Sequence, residues 1–519
     1  MYPDGAARDM LVINGQYPGP VLRANWGDFI EVDVTNSMEN NGYDDVASER
    51  LSLADFLKDQ HALARYHATK FLHPGWVSLV VISTEDATNP DSVNGVTECP
   101  IPPGTTRKYK FQATQFVGTM IIEGPAAADY DIDLGTMPIT DYYHKSAWTE
   151  AHVAERAAPP KGDNILVNGT NINVDTGHAG RYHNNTLVKG QRYLLRLINS
   201  AVDNAYMISL DNHKLKVIQA DFVPIKPYEA DWVFIGIGQR LDVVFTAEQN
   251  GDLANYWFRA EVPSGCGGNL NTKSGVAIFN YQDTDLDPKS TPATYTPRCY
   301  DETNLVPRIA KPVSRTDFAN TYAKHTNTLT VNLTTDSHKV FFWTINNRSI
   351  DVDWENPTLK YIAEGKDTYK SNPALNVYEL PDANVWSFWV IQNIFSVAHP
   401  IHLHGHNFYL LGASPNVASP SPVAFTEKNI DDLNFTNPTR RDVAMLPGNG
   451  WMVLAFKTDN PGAWLMHCHI AWHVSAGLGV QFVERASEID TTMSMGNLKS
   501  DCDAWTKWNN DRKKDDSGL

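Results

Sequence analysis

Basic residues are in deficit: 43 lysines and arginines face 60 aspartates and glutamates, for a net charge of −17. Phosphate backbones attract basic surfaces, so this balance argues against a nucleic-acid partner and reads as solubility. Long apolar runs are also lacking; none approaches the ~18 residues of a membrane span. There is no low-complexity tract. The first twenty residues, MYPDGAARDMLVINGQYPGP, have no basic start, apolar stretch or small-residue cleavage site of the kind that makes a secretory signal. Cysteine is rare, with five in 519 residues: Cys99, Cys266, Cys299, Cys468 and Cys502. Four of them can form two disulfides in an oxidising compartment, which leaves one thiol over. Asn168, Asn184, Asn332, Asn347 and Asn434 each open an N-x-S/T triplet. Disulfides and glycosylation triplets together point to a secreted glycoprotein.

What the chain does have is strand signal. KLKVIQA (214–220) alternates polar and apolar residues, the mark of a strand with one wet face. DWVFIGIG (231–238), LDVVFTA (241–247), NYWFRAEV (255–262), GVAIFNY (275–281), WMVLAFKT (451–458) and GVQFVE (479–484) are short apolar runs punctuated by turn residues. Many short strands at this spacing predict an all-β chain of stacked sandwiches or barrels. At roughly 150 residues per domain, the length predicts about three domains. Proline-rich stretches at 155–163 and 287–298 are linkers or long loops. One segment breaks the pattern: SLADFLKDQHALARYHATKFL (52–72) is rich in helix formers, with Ser52 as an N-cap.

The chemistry is concentrated in HPIHLHGH (399–406) and HCHIAWH (467–473), which hold seven of the 17 histidines. Thiolate with imidazole is a donor set that zinc, copper and iron all accept. On a strand, successive side chains point to opposite faces. Cys468 therefore faces one way while His467 and His469 face the other, and one tripeptide can serve two metal centres. His473, five residues on, can fold back to the metal of Cys468, and His399 can supply a third ligand. A His₂Cys set with a weak or missing axial donor is the blue-copper arrangement; Leu478 occupies the axial position and offers no donor atom. His402 and His404 share a strand face and, with His467 and His469, can line an all-nitrogen centre suited to copper and O₂. A structural zinc site needs four ligands, not seven crowded donors.

These motifs resemble those of the multicopper oxidases, specifically laccases of the ascomycete fungal type. The resemblance extends over NGQYPGPVLRANWGDFIEVDVTNSMENNG (14–42), NGVTECPIPPG (94–104), PITDYYHKSA (138–147), GQRLDVVF (238–245), NPTRRDVAMLP (437–447) and the terminal DSGL (516–519), which looks like the family's channel-plugging tail. It implies three consecutive cupredoxin-like Greek-key β-sandwich domains, at 1–126 (incomplete, with an atypical insert at 43–88), 127–305 and 306–519. It also implies a type 1 copper on His399, Cys468 and His473 with Leu478 axial, a type 2 copper on His402, and a type 3 pair on His404, His467 and His469, with His406 beside the cluster but not a ligand. Disulfides Cys99–Cys502 and Cys266–Cys299 follow from the same resemblance. The implied activity is one-electron oxidation of phenols or aromatic amines, coupled to reduction of O₂ to water, by a monomer with neither nucleic acid nor membrane as partner. Lignin-related phenols, pigment precursors and detoxification targets all suit such a site. Trp472, Phe341 and Trp343 are expected at the substrate mouth, although aromatics in VFFWTIN are more often core. Asp221 is the candidate carboxylate for the phenol proton, and a turn role competes with that assignment.

The likeness lapses in two places. The family's H-W-H-G and H-S-H motifs, which supply half of its eight cluster histidines, do not occur in this chain. Residues 43–87 stand where the first belongs, and FQATQF (111–116) runs straight into VGTMIIEGPA (117–126) where the second does. His61, His67 and His73 fall in the foreign segment, but His61 and His67 point to different sides of a helix. The expectation is a complete type 1 site beside a half-written cluster, with O₂ reduction in question; the alternative is a copper-binding electron acceptor without oxidase turnover.

Overall fold

The computed structural model describes residues 2–6, 13–25, 29–35, 37, 80–81, 93–102, 105–112, 116–117, 120–124, 126–145, 147–175, 179–249, 253–282, 287–415, 421–492 and 498–512. The helix expected over 52–72, with His61, His67 and His73, and the DSGL tail lie outside the described residues.

Strands dominate. In the middle of the chain, a six-stranded sheet runs in the order Val223–Ala230, Leu215–Ala220, Arg240–Thr246, Arg192–Asn199, Ile132–Tyr142, Asn164–Val167. A five-stranded sheet (Val233–Ile235, Tyr206–Leu210, Asn255–Glu261, Gly275–Asn280, His183–Thr186) faces it. The last third repeats the scheme. Its six-stranded sheet is Phe341–Ile345, Thr328–Thr335, Trp386–Asn393, Trp451–Lys457, Phe408–Ala413, Thr439–Arg441. Its five-stranded sheet is Val377–Leu380, Gly479–Glu484, Gly462–Cys468, His399–Leu403, Val443–Leu446. Neighbours that are distant in sequence give each sheet its crossovers. The described part of the first third contributes three strand pairs: Leu22–Asn25 with Met120–Glu123, Phe29–Thr35 with Thr106–Gln112, and Val80–Val81 with Phe116–Val117.

Each apolar run named above contains a strand. Side-chain alternation explains how the runs pack. In Trp386–Asn393, Trp389 and Ile391 enter the main core while Phe388 and Val390 enter a second cluster on the other face. Its partner Trp451–Lys457 divides in the same way: Met452, Leu454 and Phe456 go inward, and Trp451, Val453 and Ala455 outward. The outer face is covered by the helix Arg315–Tyr322, whose Phe318 is buried in that second cluster and whose first turn is capped by Ser314 Oγ accepting from Asp317 N at 3.2 Å. The main core is continuous from the middle sandwich into the last, joining Met137 and Val202 to Trp472 and Phe482. The segment 287–298 has no regular structure but is strapped down, with Trp257 Nε1 donating to Pro288 O and Trp232 Nε1 to Ala293 O.

Cys99–Cys502 and Cys266–Cys299 are disulfide-bonded, and Cys468 is the free, buried cysteine. The first bond anchors the helix Leu498–Arg512, and Arg107 adds ion pairs to Glu98 and Asp501 at 2.9 Å each.

Candidate metal centre

Two strands create the site. His399–Leu403 pairs antiparallel with Gly462–Cys468, so that Ile401 lies opposite Cys468 and His402 opposite His467. Trp464, Met466 and Cys468 point into the main core, whereas Ala463 and Leu465 join a cluster that includes Val96 from the first third of the chain. His467 shares that second face. Alternation along a single strand thus separates the thiol from its neighbouring imidazole, as the tripeptide predicts.

On the core face, Cys468 Sγ lies 3.6 Å from His399 Nδ1 and 3.5 Å from His473 Nδ1, and the two nitrogens are 3.1 Å apart. A point in the plane of these three atoms lies about 2.0 Å from each, close to the length of a transition-metal bond to nitrogen. The short helix Ala471–Ser475 carries His473 back to the cysteine. Leu478, fully buried, is bracketed between the two ligands: Cys468 N donates to Leu478 O at 3.1 Å and Leu478 N to His473 O at 3.0 Å. Trp343 forms a roof, edge-on to His399 at 4.7 Å and tilted over His473 at 4.5 Å between ring centroids.

On the opposite face, His402, His404 and His467 form a second group of buried potential ligands. His402 Nδ1 donates to Asp442 O and His467 Nδ1 to Cys468 O, each at 2.8 Å. Both bonds select the tautomer that leaves Nε2 with a free lone pair, as metal ligation requires. His404 Nε2 and His467 Nε2 are 3.1 Å apart. The His469 ring lies 5.8 Å from that of His402 and 5.7 Å from that of His467, at the margin of the group. His406 turns away and pairs with Glu484 Oε2 at 2.8 Å.

Burial sets the protonation. It holds His399 down to about 3 and His469 to about 4, and His402, His467 and His473 well below the ordinary imidazole value. All five are neutral donors at physiological pH. Burial pushes the Cys468 thiol up, so a thiolate there requires a cation to compensate it. His399 Nε2 and His469 Nδ1 are buried without a hydrogen-bond partner. The donor set, its spacing and its protonation fit copper on both faces.

Asp221 is 1% exposed, its Oδ1 accepts Arg240 N at 2.8 Å, and its Oδ2 accepts Arg441 Nε at 2.7 Å. It is a cross-link between the middle and last sandwiches, with both oxygens engaged. Trp343 and Trp472 are each 6% exposed; Trp343 walls the thiolate site, and Trp472 packs edge-on against Tyr143 at 5.9 Å between ring centroids. Phe341 is half-buried, with its N–H on Glu155 O. The residue that the sequence reading missed is Asp203. Its loop touches the site, with Ala471 N donating to Val202 O at 2.9 Å, and its charge acts on the Cys468 thiol. Asp203 is partly buried, and desolvation of its carboxyl together with the charge of Asp141 raises it well above the usual carboxylate range. Asp141 shapes the loop by accepting from Val202 N, Asp203 N, Asn204 N and Asn204 Nδ2 at 2.8 to 3.2 Å. The only prior signal was the polar pair Asp203–Asn204 ahead of a strand.

Family profiles described as multicopper oxidase match residues 351–488, 133–284, and 1–43 with 77–125. The chain belongs to the multicopper oxidase family. Its relatives narrow the class. Laccase-3 of Botryotinia fuckeliana is 42% identical over 496 residues, covering 90% of this chain and 100% of that protein. A laccase of Neurospora crassa is 38% identical over 556 residues, covering 100% of this chain and 82% of that protein. The crystal structure of the laccase from Botrytis aclada matches with a TM-score of 0.82 at 34% identity, covering 100% of this chain and 92% of that one. The chain is accordingly a laccase-like copper oxidoreductase of the fungal type.

Proposed function

We propose that this chain oxidises phenols or aromatic amines one electron at a time at a type 1 centre held by His399, Cys468 and His473, with Leu478 axial, and passes the electrons to O₂ at the histidine face. Copper, when bound, supplies the one-electron redox chemistry and the affinity for O₂. The observation that carries the reading is the near-equilateral Sγ–Nδ1–Nδ1 triangle, one peptide away from a group of histidines on the opposite strand face. The backbone between Cys468 and His467, short-circuited by the His467 Nδ1–H bond to Cys468 O, is the electron path. Trp343, packed against His399 and His473, keeps water from the thiolate. Asp203 takes the proton that a phenol releases on oxidation. His402 is assigned to the type 2 position and His404, His467 and His469 to the type 3 pair, four of the family's eight cluster ligands. The substrate-oxidising half is complete in this chain, and the O₂-reducing half rests on those four.

The proposal extends to three cupredoxin units at 1–126, 127–305 and 306–519, and to a secreted, monomeric, glycosylated protein. No helix among the described residues is long and apolar enough to cross a membrane. Copper per chain, blue absorption and O₂ uptake with a phenol test the functional reading together. A blue band bleached by phenol and restored by O₂ is the expected result. Bleaching without O₂ uptake restricts the function to electron acceptance, and no blue band at all overturns it.

A further inference from the structure

We infer that the loop Gly236–Arg240 of the middle sandwich is the device that positions the histidine cluster, with Arg240 as a positioning residue that touches no metal ligand itself. The inference rests on the copper reading of that cluster. The loop joins the strands Val233–Ile235 and Arg240–Thr246 and is closed on itself, Gly236 N donating to Gln239 Oε1 at 2.8 Å and Gln239 N to Gly236 O at 3.1 Å. It reaches across to the last sandwich at three points. Gln239 Nε2 donates to Val443 O at 3.1 Å. Arg240 clamps the Asp442 carboxylate in a fork, Nη1 to Oδ1 at 2.7 Å and Nη2 to Oδ2 at 2.6 Å. Gly238 lies flat against His469: a Cβ there would fall 2.5 Å from the imidazole Cδ2, and the φ of +80° suits glycine alone.

Arg240 binds both edges of this arrangement. Its Nη1 also donates to Gly238 O at 2.8 Å, so the guanidinium fixes the glycine that backs His469. Through Asp442 it fixes the residue whose carbonyl accepts from His402 Nδ1 at 2.8 Å. One buried side chain therefore sets the tautomer and direction of His402 and limits the swing of His469. A planar fork is required for this, because a lysine can supply only a point charge. Partners that orient metal-binding imidazoles at one remove are worth about 10- to 100-fold in metal affinity. The thiolate site takes nothing from this loop among its hydrogen bonds, so the two faces respond differently.

The experiment uses the full chain stripped of metal and titrated with Cu(II) alone, with blue absorption reporting the thiolate site and electron paramagnetic resonance the histidine group. Arg240→Lys and Asp442→Asn should leave the blue band intact and weaken Cu(II) binding at the histidine group at least tenfold. Unchanged affinity there, or equal weakening at both sites, overturns the inference and leaves the ion pair a docking contact only. Should either variant fail to fold, the paired variant Arg240→Met/Asp442→Leu replaces the buried pair with apolar packing, which is often neutral for stability. That protein should still bind Cu(II) weakly at the histidine group, and recovery of wild-type affinity would refute positioning. If the unmutated chain binds no Cu(II) at that group, the functional reading itself fails, and the inference with it.

Discussion

Asp203 and Asp221 are both acidic and both lie in the middle sandwich, yet the structure assigns them opposite consequences. Asp203→Asn removes a carboxylate on the loop that meets the thiolate site through Val202 O. The turn around it survives, because that turn uses only the backbone N–H of Asp203 and is held by the side chains of Asp141 and Asn204. Loss of a positioned base lowers a proton-coupled rate by about 100-fold or more. The assay is anaerobic bleaching of the blue band in stopped flow, which reads the first electron alone and is independent of O₂ chemistry. A phenol, which sheds a proton on oxidation, should bleach Asp203→Asn about 100-fold more slowly than wild type. Ferrocyanide, which sheds none, should bleach both at the same rate. Asp221→Asn, by contrast, removes one of the two ion pairs that hold the 1% exposed Arg441, which keeps Asp301 at 3.0 Å, so the cost falls below the about 3–5 kcal/mol of an uncompensated buried charge. It should unfold at lower urea, while its folded fraction oxidises both donors at wild-type rates. If Asp221→Asn selectively slows the phenol, or Asp203→Asn slows both donors equally, the assignment of roles is wrong.

Other substitutions probe the same architecture. Leu478→Met places a thioether where no donor exists, so the reduction potential of the blue centre should fall in a redox titration; an unchanged or higher potential would remove Leu478 from the axial position. Burial raises the Asp141 carboxyl from 3.8 to about 6 despite its four N–H donors. A carboxyl with a raised folded value takes up a proton on folding, so its contribution is full below about 4 and declines by about 3 kcal/mol as pH rises through about 6. The stability advantage of wild type over Asp141→Ala should shrink across that window, and an advantage that grows with pH would reverse the sign. Cys502→Ser opens a loop with a sequence separation of 403, worth about 6 kcal/mol in chain entropy, and should expose Leu498–Arg512 to proteolysis before the rest of the chain unfolds.

The legibility of the site in the sequence followed the range of its contacts. HPIHL and HCH could be read because a period of two encodes strand faces directly, and no distant residue is needed to know that Cys468 opposes His467. KLKVIQA was legible for the same reason, whereas Trp386–Asn393 offered no alternation: both of its faces are packed, one on the main core and one beneath the helix Arg315–Tyr322, so apolar residues fill both registers. The tie from Asp221 to Arg441 was not legible, because the two lie 220 residues apart. GQRLDVVF read only as a stretch of family likeness for a similar reason, since Asp442 is 202 residues from Arg240.

The division of one strand between two environments also explains why the thiolate belongs on the core face. Cys468 sits in the same apolar cluster as Trp464, Met466 and Val480, whereas the imidazoles opposite are held by carbonyls of Asp442 and Cys468. A dry, apolar shell disfavours the more highly charged metal state and so favours acceptance of an electron from substrate. A polar face with its lone pairs aligned would hold a metal cation, which would supply the chemistry of O₂ there. Reversing the register by one residue would exchange the two environments and place the thiol on the histidine face. The order His-Cys-His is therefore fixed by sheet geometry as much as by ligand chemistry.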